Sequence, residues 1–133
     1  MITYVVAYIA TAVIFLGLDS LWLGVVAQST YRRWIGHLMA DETNMVAAFL
    51  FYMAYVVGLV IFAVAPALRD GAWSTAVIYG ALFGLFAYGT YEMTNFATLR
   101  DWPIAMVLAD LAWGTALSAV SAVAGYAITR YFV

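Results

Sequence analysis

Three carboxylates of this chain lie inside long apolar runs, where a charge is costly. They are Asp19, Glu92 and Asp110. At about 1.5 Å per helical residue, Asp19 lies roughly 12 Å, Asp110 roughly 10 Å and Glu92 roughly 9 Å inside the same end of a helix bundle. A charge at the centre of a membrane helix costs about 2.5–3.5 kcal/mol on insertion scales. Acids at this depth should therefore face the bundle interior, hold a proton or bind a cation.

The sequence repeats around two of these acids. Asp19 is followed by Trp22, and Asp110 by Trp113, so both sites read Asp-x-x-Trp. Side chains three residues apart on a helix are neighbours, and we therefore expect each indole to donate to, or cover, the acid of its own motif. On antiparallel helices at matched depth, the two motifs would form two halves of one pocket.

Other polar and aromatic side chains are predicted to join the acids. Tyr88 and Asn95 share a helical face with Glu92, because they stand three or four residues from it. Tyr91 supplies an aromatic wall, and Arg100, just beyond the helix, can snorkel inward. The sequence thus predicts a ligand-binding or proton-binding site made of Asp19, Trp22, Tyr88, Tyr91, Glu92, Asn95, Arg100, Asp110 and Trp113.

A structural role is the competing interpretation of the buried acids. An Asp or Glu can bond across helices to Tyr, Asn or Trp and stabilise the bundle by about 0.6–2 kcal/mol. Such a role does not need three acids at one level, where like charges repel each other or share protons. The cluster is therefore interpreted as a proton or cation site.

The elements that must position these residues are membrane-spanning helices. Of 133 residues, 68% are hydrophobic and 9% are charged, whereas soluble domains are about 45–50% apolar and about 25% charged. The charges divide the chain into four apolar runs, near 3–27, 45–68, 73–98 and 103–131, each long enough to span a bilayer. We expect an all-α integral membrane protein with a single domain over residues 1–133, folded as a four-transmembrane-helix bundle.

The connection between the first two helices is longer than the others. Residues 29–44 carry Trp34 and other apolar side chains beside Arg33, His37 and Asp41, which recur every four residues. This pattern predicts an amphipathic helix that lies in the membrane interface. Short loops make neighbouring helices antiparallel, so the long connection and the third loop share one membrane face, which we call the first-loop side.

The arginines do not decide the membrane orientation. Arg32, Arg33 and Arg100 are on the first-loop side, while Arg69 and Arg130 are on the other side together with the N-terminal amine. The two sides therefore carry equal positive charge. The positive-inside rule leaves the topology open.

Composition excludes several classes of function. Lysine is absent and only five arginines stand against seven acids, so the chain has no basic patch for nucleic acid. Cysteine is absent and His37 is the single histidine, which removes thiolate sites and multi-histidine metal or haem sites. No phosphate loop, nucleotide fingerprint or nucleophile elbow is present. We expect no cofactor and no metal, and the lipid bilayer as the principal partner.

Small residues predict close contacts between the third and fourth helices. Gly80 and Gly84 stand four residues apart, as do Gly114 and Ser118. Such spacing lets two helix backbones touch. The contact is predicted either within one protomer or as the interface of a homodimer.

Three stretches of the chain resemble a known bacterial family. They cover residues 18–24, 91–103 and 110–115, and the most specific is the block Thr-Asn-x-x-Thr-Leu-x-x-Trp-Pro that begins at Thr94. Over essentially its whole length the chain resembles the bacterial membrane family DUF2177, domain of unknown function 2177. The resemblance implies a multi-pass protein of the bacterial inner (cytoplasmic) membrane, assigns no activity, and tilts the ligand toward lipids. It also implies an acid at the position of Glu92.

Three functions are compatible with these residues. The first is a carrier or receptor that binds a proton or cation together with a small amphiphilic ligand or lipid. The second is a lipid-modifying membrane enzyme with paired carboxylates as general acid and base. The third is a structural or accessory subunit whose small-residue faces bind a partner helix. The sequence favours the first and leaves the other two open.

Overall fold

The computed structural model describes residues 1–133, which form α-helices joined by short turns and π-helical segments, without a β-strand. Right-handed helical backbone covers most of the chain. The α-helices are α1 Ile2–Leu21, α2 Gln28–Ile35, α3 Met45–Leu59, α4 Ala65–Asp70, α5 Trp73–Thr98 and α6 Ile104–Phe132.

Two π-helical segments merge these helices into four rods. Trp22–Ala27 joins α1 to α2, and Val60–Val64 joins α3 to α4, with right-handed helical backbone at the residues on either side. Pro66 follows the second segment, where its missing amide hydrogen removes one helical hydrogen bond. One-turn π segments inside α-helices are frequent at functional sites. The first of them begins at Trp22, three residues after Asp19.

Three rods are long and apolar enough to cross a membrane, and they run over Ile2–Leu38, Met45–Asp70 and Ile104–Phe132. α5 is of similar length but less apolar, since it carries Glu92, Asn95 and several threonines. Many large apolar side chains of the rods are exposed on their outer faces. Lipid tails can cover such surfaces, so the chain is a multi-pass membrane protein.

The first rod differs from its predicted boundary at residue 27. The backbone stays helical from Leu21 through Gln28 and leaves the helical region only at Ile35. The predicted span ended at residue 27 because the residues change there from apolar to polar. A helix ends where its backbone hydrogen bonding ends, and no proline interrupts this stretch. The amphipathic residues after Ala27 are therefore an extension of the first rod.

Glycine builds the contact between α5 and α6. Gly84 lies against the backbone carbonyl of Gly114 and the hydroxyl of Ser118, and Gly80 lies against Ser118 and Ala122. A Cβ atom at Gly84 would overlap these atoms, because the two backbones approach closely. The two small-residue faces bury each other within one chain, so a homodimer would have to use another surface.

α1 packs on α6 and on α3. Thr11 of α1 lies against Gly125 of α6, and the Tyr8 hydroxyl donates to the Met53 carbonyl of α3 at 3.2 Å. Phe15 is fully buried where these helices meet. The interior faces of α1, α3, α5 and α6 are therefore directed toward one core, which positions the acids described next.

Candidate functional site

Asp19 is a buried acid of α1 that a tryptophan of α6 binds. Trp113 Nε1 donates to Asp19 Oδ1 at 3.1 Å. The other carboxylate oxygen, Oδ2, is buried and has no hydrogen-bond partner. The Tyr52 side chain of α3 faces this carboxylate and is near enough to interact with it. Asp19 therefore has one satisfied oxygen and one free oxygen.

Asp110 of α6 is bound by a tyrosine from α2. The Tyr31 hydroxyl donates to Asp110 Oδ1 and accepts a hydrogen bond from Trp22 Nε1 at 3.2 Å. Tyr31 can do this because α1 continues through Trp22–Ala27 into α2, which carries its side chain over the start of α6. Asp110 is only half-buried.

The two Asp-x-x-Trp motifs exchange partners across the helix contact. Trp113 binds Asp19, and Trp22 reaches Asp110 through Tyr31, whereas each indole was expected beside the acid of its own motif. The two indole rings stack between the helices, with centroids 4.4 Å apart and planes at 9°. Antiparallel packing of α1 on α6 sets the motifs opposite each other, so each indole crosses to the neighbouring helix.

Glu92 lies apart from this network. Its Oε1 accepts a hydrogen bond from Trp102 Nε1 at 2.8 Å, and its Oε2 is buried without a partner. Trp102 packs with Met106 and Val107 in a small apolar cluster. No hydrogen bond joins Glu92 to the other two acids. The structure thus links Asp19 with Asp110 by hydrogen bonds and the stacked indoles, and leaves the third predicted acid outside that network, beside an apolar cluster on which Tyr31 also packs.

A cavity of about 350 Å³ lies beside Asp110. Seven of its eight lining residues are hydrophobic, and most of these are aromatic. Asp110 is the one charged side chain in the wall, while Asp19 and Glu92 do not line it. The wall consists of Phe15, Phe51, Tyr52, Tyr55, Ala87, Tyr88, Tyr91 and Asp110.

The cavity exists because α3 and α5 separate toward the first-loop side. At the other end, Gly58 and Phe62 pack against Phe83 of α5. The π segment Val60–Val64 keeps the two rods in contact there. Closer to the first loop the rods diverge. Phe51 and Tyr91, on the cavity wall, are 66% and 55% exposed. The gap between α3 and α5 therefore opens on the outer surface of the bundle.

Two of the predicted aromatic residues line the cavity. Tyr88 is directed at α6, where its ring fills the space that a side chain at Gly114 would need. Tyr91 packs edge-on against Trp102, with ring centroids 5.9 Å apart. Tyr91 therefore borders both the cavity and the region of Glu92.

Two other predicted residues do not bind the acids. Asn95 is half-buried and forms no hydrogen bond to Glu92. Arg100 is exposed in the turn that follows α5, which ends at Thr98 with extended backbone at Leu99. Inward snorkelling of Arg100 is therefore absent from this structure, and no basic side chain neutralises the acids.

Several residues of the site were not predicted as ligands of the acids. Tyr31 and Trp102 were not included in the predicted site, yet each donates a hydrogen bond to one of the acids. Tyr52 and Tyr55 stand three residues apart on α3, and this polar-aromatic stripe is visible in the sequence, although neither residue was included in the predicted site. Tyr55 also shares a hydrogen bond of 2.6 Å with the hydroxyl of Ser118.

The family model described as "Predicted membrane protein (DUF2177)" matches residues 4–127. The chain belongs to the DUF2177 family. The match confirms the resemblance seen in the sequence, and its span includes every acid and tryptophan of the two regions described above. No curated protein and no solved structure matches the chain. The function of this DUF2177 protein must therefore be argued from the geometry of its acids and its cavity.

Proposed function

We propose that this DUF2177 protein is a small receptor or carrier of the bacterial inner membrane that binds a cationic amphiphile beside Asp110. In this proposal the bundle has four membrane spans, and α5 is the fourth. α5 is 26 residues long, enough to cross a bilayer. It also packs antiparallel along α6 through Gly80 and Gly84. Because α5 is held along α6 in this way, it crosses the same membrane in this proposal.

The observation that carries the proposal is a single carboxylate in an aromatic wall. Aromatic faces attract organic cations, most strongly where water is excluded. Asp110 adds the matching negative charge, and its hydrogen-bond partner is the neutral hydroxyl of Tyr31 rather than a basic side chain. The ligand cation would thus meet a free charge partner with Tyr52 and Tyr88 beside it.

The position of the opening supports an amphiphile rather than a water-soluble ion. Phe51 and Tyr91 stand where the cavity reaches the outer surface of α3 and α5. An apolar ligand body could remain in the gap between these helices, in contact with lipid, while its charged group lies against Asp110. Such a ligand would enter laterally from the bilayer.

The other two candidate functions have less support. An enzyme with paired carboxylates needs both acids to reach one substrate, but Asp19 does not line the cavity and is bound by Trp113. A structural subunit would present its small-residue faces to a partner, but Gly84 and Gly114 already pack against each other.

The test uses two probes of one shape and opposite charge, tetraphenylphosphonium and tetraphenylborate. Each is titrated into the protein in lipid nanodiscs, with empty nanodiscs as the background, and binding is followed by tryptophan fluorescence. We expect saturable binding of the cation alone. Asp110→Asn should weaken it by at least about tenfold, since loss of a desolvated charge partner costs about 2–5 kcal/mol.

The matched control is Glu92→Gln, which also replaces a buried acid by its amide. Glu92 does not line the cavity, so the affinity for tetraphenylphosphonium should stay within about twofold of the wild type. Equal binding of the two probes, or full binding by Asp110→Asn, contradicts the proposed function.

A further inference from the structure

The two linked acids differ in their access to the cavity. Asp110 lines the cavity wall, whereas Asp19 is 4% exposed and does not. The stacked rings of Trp22 and Trp113 connect them, and the two carboxylates are near enough to interact electrostatically. A change of charge at the cavity therefore acts on Asp19.

No positive group faces Asp19. The titratable side chains around it are Tyr52 and Tyr55 of α3, Tyr88 of α5 and Asp110 of α6. Tyr31 of α2, also a phenol, faces Asp110. Two neighbouring carboxylates repel each other when both are charged, and a membrane interior makes each charge costly.

The free oxygen of Asp19 offers a place for one proton. Trp113 donates to Oδ1, so that oxygen is an acceptor, while Oδ2 is buried with no partner. A proton on Oδ2 leaves the hydrogen bond to Oδ1 intact. Tyr52 lines the cavity and also interacts with Asp19, which gives the proton a neighbouring hydroxyl on the way to the cavity.

We propose that the acid pair exchanges a proton for the cation. With the cavity empty, the two carboxylates hold one proton between them. When a cation binds beside Asp110, the O–H bond of the protonated carboxyl group breaks, its electron pair stays on the oxygen, and the proton leaves to water. The charge summed over the two acids and the ligand is the same before and after, because the cation replaces the proton. This inference rests on the proposed function, and it makes a carrier of this kind proton-coupled.

The experiment counts the protons released as tetraphenylphosphonium binds. This cation carries no proton, so any proton comes from the protein. Isothermal titration of the protein in nanodiscs, repeated in two buffers that differ in ionisation enthalpy, gives the number released. We expect about one proton per cation for the wild type near neutral pH. Glu92→Gln, an acid replaced outside the pair, should release the same number.

Asp19→Asn should bind the cation while releasing almost no proton. The asparagine Oδ1 can still accept from Trp113, so the hydrogen bond seen at 3.1 Å is kept. If this variant fails to fold, the number of protons that the wild type releases at a series of pH values tests the exchange by itself.

The outcomes separate this inference from the proposed function. Cation binding by the wild type with no proton release between about pH 5 and about pH 9 overturns the exchange and leaves the cation site standing. Undiminished release from Asp19→Asn also overturns it. Absence of cation binding to the wild type overturns both.

Discussion

Two regions of this bundle pair a carboxylate with an indole N–H, and they differ in their surroundings. In the first, Asp19 and Asp110 are connected by two stacked tryptophans and a tyrosine, and Asp110 borders a cavity. In the second, Glu92 accepts from Trp102 and is completely buried in an apolar setting. Both regions contain the same carboxylate–indole pair, but only the first region borders the cavity.

The difference shows why a buried acid in a membrane helix is not by itself a binding site. Glu92 and Asp19 each keep one oxygen without a hydrogen-bond partner, so an unsatisfied atom does not distinguish them. They differ in what they are hydrogen-bonded to. Asp19 is connected through Trp113, Trp22 and Tyr31 to Asp110 in the cavity wall, whereas Glu92 is hydrogen-bonded only to Trp102, which does not line the cavity. Glu92 is therefore expected to act on stability and Asp110 on binding.

Gly84→Leu should have the largest effect, because both regions depend on the contact of α5 with α6. The new side chain would overlap the backbone of Gly114, and overpacking of this kind costs about 1–3 kcal/mol or more. We expect loss of the folded protein in detergent, measured by thermal unfolding. The matched control is Gly17→Leu, since no atom lies within 4 Å of a Cβ there. Equal melting temperatures for the two variants would refute the glycine contact.

Trp102→Phe should separate stability from binding. The change removes the donor to Glu92 and leaves a fully buried carboxyl group without its observed partner, at a cost of about 1–3 kcal/mol. Thermal unfolding should show this loss, while the affinity for tetraphenylphosphonium stays unchanged. Trp73→Phe is the control, since that indole is 64% exposed. A large loss of affinity in Trp102→Phe would join the two regions that we describe as separate.

Tyr31→Phe should loosen the first region by a smaller amount. The tyrosine hydroxyl connects Trp22 with Asp110 and holds α2 over α6. Loss of such hydrogen bonds costs about 0.5–1.5 kcal/mol, and the amides of α2 should exchange hydrogen faster. Tyr4→Phe, at a half-exposed position of α1, is the comparison. Unchanged exchange in α2 would show that this tyrosine does not anchor the helix.

Arg100→Ala should have the smallest effect. The side chain is exposed and makes no contact with either acid region, and surface changes of this kind usually alter stability by less than about 0.5 kcal/mol. Both the melting temperature and the affinity for tetraphenylphosphonium should match the wild type. A clear loss of affinity would show that Arg100 belongs to the binding site.

The sequence predicted the helices well because long apolar runs have few alternatives to membrane spans. It predicted an amphipathic helix after Ala27 but could not predict that α1 continues into it without a break, since a π segment has no recognisable pattern. Tyr31 was missed for this reason, because its contact with Asp110 depends on that continuation. The placement of side chains between helices was also beyond the sequence.

For the acids, too, the sequence could predict some features and not others. Helical spacing put Asp19 and Asp110 at similar depths, because depth follows from the rise per residue, and in the structure Trp22, Tyr31 and Trp113 link them. Which indole binds which acid depends on the rotation of α1 against α6, and spacing along one helix carries no information on that. The same holds for Glu92, whose partner Trp102 comes from the loop before α6.

The most direct test of the cation site is to locate the bound cation. Tetraphenylarsonium has the shape and charge of tetraphenylphosphonium, and its arsenic atom gives an anomalous X-ray signal. In a crystal of the complex, we predict one arsenic peak inside the cavity, against Asp110 and between the rings of Tyr52 and Tyr88. An empty cavity, with the arsenic beside Glu92 or only on the outer surface of the bundle, would contradict the account.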